Sequence, residues 1–424
     1  MVITLADRQR WLCFAGMGVF ALAYLLLAGK EFAASVFAAT PDLPKLERAV
    51  RLSPGNADYR HRLGRYYALV AVNPQAAIDN LRFAVQLNPH QARYWFDLAA
   101  AEQVAGDSSG QRDALEHAIQ TEPTAPDVAW EAANFFLVTG DVDRALHEFR
   151  VVIENDPYLP GAALQSCWRV RPDADALLRD VVPPRTDSLL AFLALLESRQ
   201  ETDGAIKVWD RLLELHQKFE THYLLDHVRY LILAKRPEAA LDAWEKTTGL
   251  LGLSAYLHPP DNLIVNGDFS LNILNGGFDW THVSRNGVRL LLDPSDFRDG
   301  QRSLSITFEG PGISDAGFQQ LVPVRGGSAY EFTAYYKSAN FQGAGGPQIV
   351  LRDAYSNAVL FSSDPLTDAD FWKEVHATFT TPDSTALLKL IIERTPAGSP
   401  IRGRLWLDDF QLSPQDPQDA KDHP

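Results

Sequence analysis

Four prolines, Pro54, Pro89, Pro123 and Pro157, return at steps of 35, 34 and 34 residues, each closing a short polar stretch after an amphipathic run. A period in this range belongs to arrays of helical hairpins, whose units cannot bury their apolar faces alone and must share a core with stacked neighbours. Residues 41–256 are therefore expected to be helical.

Within that stretch the same positions repeat. Ala77, Ala145, Ala205 and Ala240 occupy one place in successive second helices, and Leu81, Phe149, Trp209 and Trp244 follow four residues later on the same face. Small residues let helices approach, and the bulky ones fill the gap beside them. Gly106 and Gly140 end first helices, where a positive φ is wanted. The order breaks between 158 and 185, where Pro172, Pro183 and Pro184 fall and the step from Ala145 to Ala205 is 60 residues. One unit there is expected to be atypical, followed by two more hairpins. At the other end, ERAVRL (47–52) reads as the second helix of a truncated first unit.

Leu63, Gly64 and Tyr67 in one first helix, Trp95 and Leu98 in the next, the alanines and the closing prolines together resemble the tetratricopeptide repeat family. The resemblance implies an α-solenoid whose first helices line a groove for a protein partner. Here that groove would hold His61, Arg65, Arg93, Phe96, Trp130 and Asn134, with Asp58, Ala100 and Asp127 beside them. Only Asn134 and Arg65 match the family's carboxylate-gripping positions, so a clamp of that kind is not expected. The plain alternative for Trp130 and Phe96 is packing between hairpins.

Ahead of the repeats, residues 11–28 carry no charge over 18 positions, about the length that crosses a hydrocarbon core of roughly 30 Å as a helix. Arg8 and Arg10 precede the run and only Lys30, beside Glu31, follows it. The positive-inside rule then puts residues 1–10 in the cytoplasm, a transmembrane signal anchor at 11–29, and the rest of the chain outside, periplasmic or at the cell surface. The small residues of AASVFAAT (33–40) keep a removed signal peptide, cut after Ala38, as the competing reading.

Helical periodicity stops at His258-Pro259-Pro260. Short β-branched and aromatic runs punctuated by Gly, Asn, Asp and Ser follow, as in a sandwich. Nine strands are expected: 262–266, 288–293, 303–308, 318–324, 329–338, 348–353, 372–381, 387–394 and 404–412. In AYEFTAYYKS the alternation turns Tyr330, Phe332, Ala334 and Tyr336 inward and Tyr335 outward. The fold class is thus multidomain: a transmembrane helix, an α-solenoid, a β-sandwich jelly roll over 261–413, and a disordered tail at 414–424.

NLIVNGDFS, GFDW (277–280), FQQLVPVRGGSAYEFTAYYK, FWKEVHATFTTP and LWLDDFQL resemble carbohydrate-binding module families 4 and 9, among the galactose-binding-like jelly rolls. The resemblance implies a structural calcium at Asp408 or Asp409, although Ser270 stands where the family has a carboxylate. The alternative is that the two aspartates bond turn backbone near NGDF. It also implies aromatic platforms for sugar rings, with Tyr335, Trp372 and Phe341 as candidates and Gln348, Arg352 and Gln319 as polar partners. Trp280 and Trp406 sit at motif positions that imply core.

A net charge of −15 and a pI near 5.2 argue against nucleic acid, which requires a basic stripe. Cys13 and Cys167 form no metal motif, and the eleven histidines are scattered. No phosphate-cradling loop, zinc-protease motif or nucleophile elbow occurs, so a non-enzyme is expected. The combined reading is a membrane-anchored envelope scaffold that binds a protein through its repeats and a polysaccharide through its sandwich, in polysaccharide assembly or export. The alternative makes the sandwich a spacer or protein-binding domain.

Overall fold

The computed structural model describes residues 7–367 and 369–415. The expected cytoplasmic segment before residue 7 and the tail beyond 415 lie outside the described residues. The chain divides into two compact units, 1–183 and 184–424.

The first unit holds ten helices among the described residues: α1 (Asp7–Ala38), α2 (Leu43–Leu52), α3 (Ala57–Leu69), α4 (Pro74–Leu87), α5 (Ala92–Ala105), α6 (Ser108–Thr121), α7 (Pro126–Thr139), α8 (Val142–Asn155), α9 (Pro160–Val170) and α10 (Ala174–Asp180). Asn56, Asn73, Asp107 and Asp141 cap α3, α4, α6 and α8 by accepting backbone N–H bonds. Gly106 and Gly140 take φ of 80° and 81° at the ends of α5 and α7. Ala77, Leu81, Ala145 and Phe149 are fully buried. A Cβ on Gly64 would come within 2.7 Å of Leu81 Cγ, so α3 and α4 meet at a distance that glycine permits. The irregular stretch is two short helices, α9 and α10, ending at Pro183-Pro184.

α1 changes the reading of the first repeat. Residues 11–38 form one helix long and apolar enough to cross a membrane, with none of its most apolar window buried. Its last two turns, however, are packed: Ala34 and Ala38 join Leu46, Ala49, Val50, Tyr59 and Leu63 in one cluster, and Ser53 Oγ donates to Glu31 Oε1 at 2.9 Å. The first hairpin is therefore not truncated, because the exit of the apolar helix serves as its first helix and α2 as its second. The expected anchor limit of residue 29 falls inside a helix that continues to Ala38.

The second unit begins with two hairpins, α11 (Thr186–Ser198) with α12 (Thr202–Leu213) and α13 (Thr221–Leu233) with α14 (Pro237–Leu251). Trp209 and Trp244 are buried there, and Trp209 Nε1 donates to Thr247 Oγ1 at 3.2 Å. Among the described residues ten strands follow: β1 (Thr281–His282), β2 (Val288–Asp293), β3 (Ser303–Gly312), β4 (Asp315–Pro323), β5 (Ala329–Gln342), β6 (Gly346–Asp353), β7 (Val359–Ser362), β8 (Lys373–Thr380), β9 (Leu387–Thr395) and β10 (Pro400–Pro414). They form two five-stranded antiparallel sheets, β1-β4-β9-β6-β7 and β2-β3-β10-β5-β8.

Phe332, Leu390, Leu405 and Phe410 lie in the core between the sheets, with Tyr330, Ala334 and Tyr336 inward as the alternation requires. The segment 262–266 is not a strand: Asn262 side-chain atoms bond Phe410 O and the Leu412 N–H instead of continuing a ladder. The NGDF turn behind it locks the sandwich. Gly267 has Phe410 O where a Cβ would stand, 2.2 Å away, and Trp280 Nε1 donates to Asn266 O at 3.0 Å. The helices and the sandwich of this unit share a core, since Trp244 meets Phe278 edge-on at 6.0 Å and leaves Gly277, at φ 64°, no room for a side chain.

Candidate functional site

In the first unit α3 presents a helical stripe, Asp58, His61, Arg62, Arg65, Tyr66 and Leu69, to a cavity of about 640 Å³. The end of α1 (Ala38, Ala39) closes one side and the start of α5 (Arg93, Tyr94) the other. Three of the expected groove residues, His61, Arg65 and Arg93, therefore meet. Phe96, Trp130 and Asn134 do not line this cavity. Trp130 sits edge-on to buried Phe149 at 5.5 Å, as hairpin packing requires, and Asn134 Nδ2 donates to Trp130 O in its own helix. Arg62 and Tyr66 were legible as neighbours of His61 and Arg65 on one helical face, whereas the contribution of α1 was not.

The electrostatics are arranged in two layers. Asp97 lies behind the stripe, 2.5 Å from His61 Nε2 and 3.6 Å from Arg65 Nε. His61 is buried against the Tyr94 ring at 4.5 Å. Arg62 Nε donates to Asp58 at 2.7 Å and its Nη1 to Ala38 O at 3.4 Å, while Arg93 is exposed. Arg62 is paired with Asp58 and Arg65 with Asp97, so three arginines against two carboxylates leave the groove a formal excess of one positive charge, presented at exposed Arg93. On its far side Arg65 and Leu69 pass into a smaller apolar hollow of about 190 Å³ lined by Val72, Ala100 and Val104.

The sugar-site candidates are dispersed. Tyr335 faces outward on β5, with the Arg298 guanidinium 3.4 Å over its ring. Trp372, half-buried, directly precedes β8, the neighbour of β5, and adjoins Phe371, which is 85% exposed. Gln348 and Arg352 belong to β6 in the other sheet. Arg352 holds Glu393 through two hydrogen bonds of 2.8 and 2.7 Å, and Gln348 Nε2 donates to Ser363 O at 2.5 Å. Gln319 is on β4 of that sheet as well. Phe341 packs partly into the core, 5.9 Å from Phe308. Trp280 is core, whereas Trp406 is buried outside the inter-sheet cluster, under Arg404 at 4.5 Å and beside Lys337.

Asp408 is fully buried and accepts N–H bonds from Arg298, Asp299 and Asp409. Burial pushes its carboxyl up to about 6 despite those donors. Asp409 turns to Arg298 and Gln411. Calcium asks for six or more oxygen ligands, and among the described residues no three His, Cys, Asp or Glu side chains converge. Asp408 and Asp409 are both engaged within the chain, the first by backbone N–H groups and the second by Arg298 and Gln411. What Asp408 fastens is the 298–299 turn, not the NGDF turn.

No protein-family model and no curated protein matches the sequence. Among solved structures, a family 4 carbohydrate-binding module is 22% identical over 36% of this chain and 99% of its own, with a TM-score of 0.29. MamA is 18% identical over 41% of this chain and 85% of its own, with a TM-score of 0.27. The modules of a Clostridium thermocellum endo-1,4-beta-D-xylanase complexed with xylohexaose are 16% identical over 36% of this chain and 29% of their own, with a TM-score of 0.27. The chain joins a tetratricopeptide-like array to a jelly-roll sandwich. That description rests on its own hairpin period, its buried alanine ladder and the pairing of its described strands.

Proposed function

We propose that this chain is a membrane-anchored scaffold of the cell envelope, with its N-terminus cytoplasmic and its repeats and sandwich outside. The repeats dock an acidic protein segment and the sandwich contacts a polysaccharide during its assembly or export; neither part is catalytic. The observation that carries the reading is the basic groove of His61, Arg62, Arg65 and Arg93, which opens beside the helix that is apolar enough to anchor the chain. For the glycan, Tyr335 and Trp372 are the contacts. Photo-crosslinking from position 93 in native membranes tests the docking: a discrete adduct lost in Arg65→Glu is expected, and unchanged labelling in that variant refutes it. Affinity electrophoresis in polysaccharide gels tests the sandwich, with retardation abolished by Tyr335→Ala and Trp372→Ala.

A second reading, with the sandwich as spacer or protein-binding domain, is favoured by the engagement of Gln348 and Arg352 within their own sheet, away from Tyr335. Absence of retardation in every gel, with crosslinking at position 93 intact, selects it.

A further inference from the structure

The groove and the apolar helix share residues. Ala38 and Ala39 wall the cavity, Arg62 reaches Ala38 O, and Tyr59 and Leu63 pack on Ala34 and Ala38. The charged exit of the apolar run is Lys30-Glu31. From Ala28 to Ala38 is ten residues of helix, or about 15 Å of rise. The lipid headgroup layer occupies about 5–8 Å outside the hydrocarbon core. Because Glu31 is tied to Ser53, the start of the repeat array is held against this exit and not swung away on a linker. With the 11–28 run spanning a bilayer along its normal, the groove opens one or two helical turns above the headgroups.

Charge and surface narrow the occupant. The lining sets Arg62, Arg65 and Arg93 against Asp58, with Asp97 behind Arg65, next to exposed Leu69 and Val70. An acidic segment with interspersed apolar side chains complements it. The chain as a whole carries −15, so a freely diffusing acidic protein is repelled before it arrives. Single exposed arginine pairs contribute little affinity. Tethering in the same membrane removes both obstacles, since a short linker raises the effective concentration to the millimolar range.

Building on the docking function above, we propose that the groove takes the acidic juxtamembrane segment of a second membrane protein. The membrane helix acts as both anchor and groove wall, and so selects partners by their height above the bilayer as well as by charge.

The test uses the full chain in nanodiscs with a labelled peptide of alternating Glu and Leu, either free or fused to an inert transmembrane helix through Gly/Ser linkers of about 6, 20 and 60 residues. Expected is occupancy by the tethered peptide that falls roughly tenfold or more from the shortest to the longest linker, and that is lost in Arg62→Glu/Arg93→Glu. Arg93→Glu alone, at an exposed position, serves if the double variant does not fold. Equal binding of free and tethered peptide, still lost in the variants, overturns the juxtamembrane inference and leaves the docking function standing. Variant-insensitive binding overturns both. Loss of anionic-lipid retention in the variants, without any effect on the peptide, assigns the groove to phospholipid and also overturns the proposal.

Discussion

Asp279 offers a sharp test of how the helices and sandwich of the second unit are joined. Its side chain is fully buried; Oδ2 accepts the Leu274 N–H at 2.6 Å, while Oδ1 makes no well-formed hydrogen bond and the Asn266 side chain and Trp280 N–H beside the carboxyl offset its burial only in part. Burial pushes this carboxyl from an ordinary 3.8 up to about 6. The folded state thus holds the proton more tightly than the unfolded state. The favourable contribution is complete below the unfolded value and is lost as pH rises through the folded one. A shift of about two pH units corresponds to roughly 3 kcal/mol of differential stability. Asp279→Asn keeps an acceptor for Leu274 and removes the buried charge. We expect the variant to gain about 1–3 kcal/mol at pH 8 and almost nothing near pH 4. Urea titrations of the full chain in detergent, followed by β-sheet circular dichroism, read the difference. Asp408, also pushed up to about 6, leaves a residual slope of the same sign in both proteins. A variant less stable than the parent at pH 8, or a gain equal at both pH values, refutes the argument that an unsatisfied buried carboxylate destabilises this loop.

Three other outcomes follow from close packing. Gly64→Ala presses a methyl group onto Leu81 Cγ at 2.7 Å and should cost about 1–3 kcal/mol, seen as a lower thermal midpoint of the helical signal. Gly267→Ala meets the backbone oxygen of Phe410 at 2.2 Å, which cannot rotate away; loss of native Trp280 fluorescence with the helical signal retained is the expected result. Deleting residues 1–39 strips Ala34 and Ala38 from the cluster containing Leu46, Val50 and Tyr59. Limited proteolysis should then cut within α2 and α3 much faster than in the full chain, and an unchanged digestion pattern would show that the first hairpin needs nothing from α1.

The helical repeat was legible because its signals are local. Capping side chains, left-handed glycines and the Ala-to-bulky spacing act within one hairpin, and Ala77, Ala145, Ala205 and Ala240 are all buried as their period requires. The strands were legible for the same reason, period two in AYEFTAYYKS being sufficient to separate Tyr336 from Tyr335. β1 and β7, two and four residues long, were missed because so short a run carries no alternation. The segment 262–266 was misread as a strand because its apolar side chains are buried by a turn whose bonds run to β10, remote in sequence.

Periodicity in this sequence thus specifies which face of each element is buried, and with it the pair of fold classes and the apolar helix ahead of them. It does not specify what covers that face. The small residues after position 30 read alike whether a peptidase, a bilayer or a neighbouring helix meets them; only packing against α2 and α3 makes them the first helix of the array. Sheet order is equally non-local: β5 and β6 adjoin in sequence yet enter opposite sheets, which separates Tyr335 from Gln348 and Arg352. His61, Arg65 and Arg93 come together because stacking hairpins bring residues about one repeat apart side by side, and the helix that completes their groove is the one that the sequence marks for the membrane.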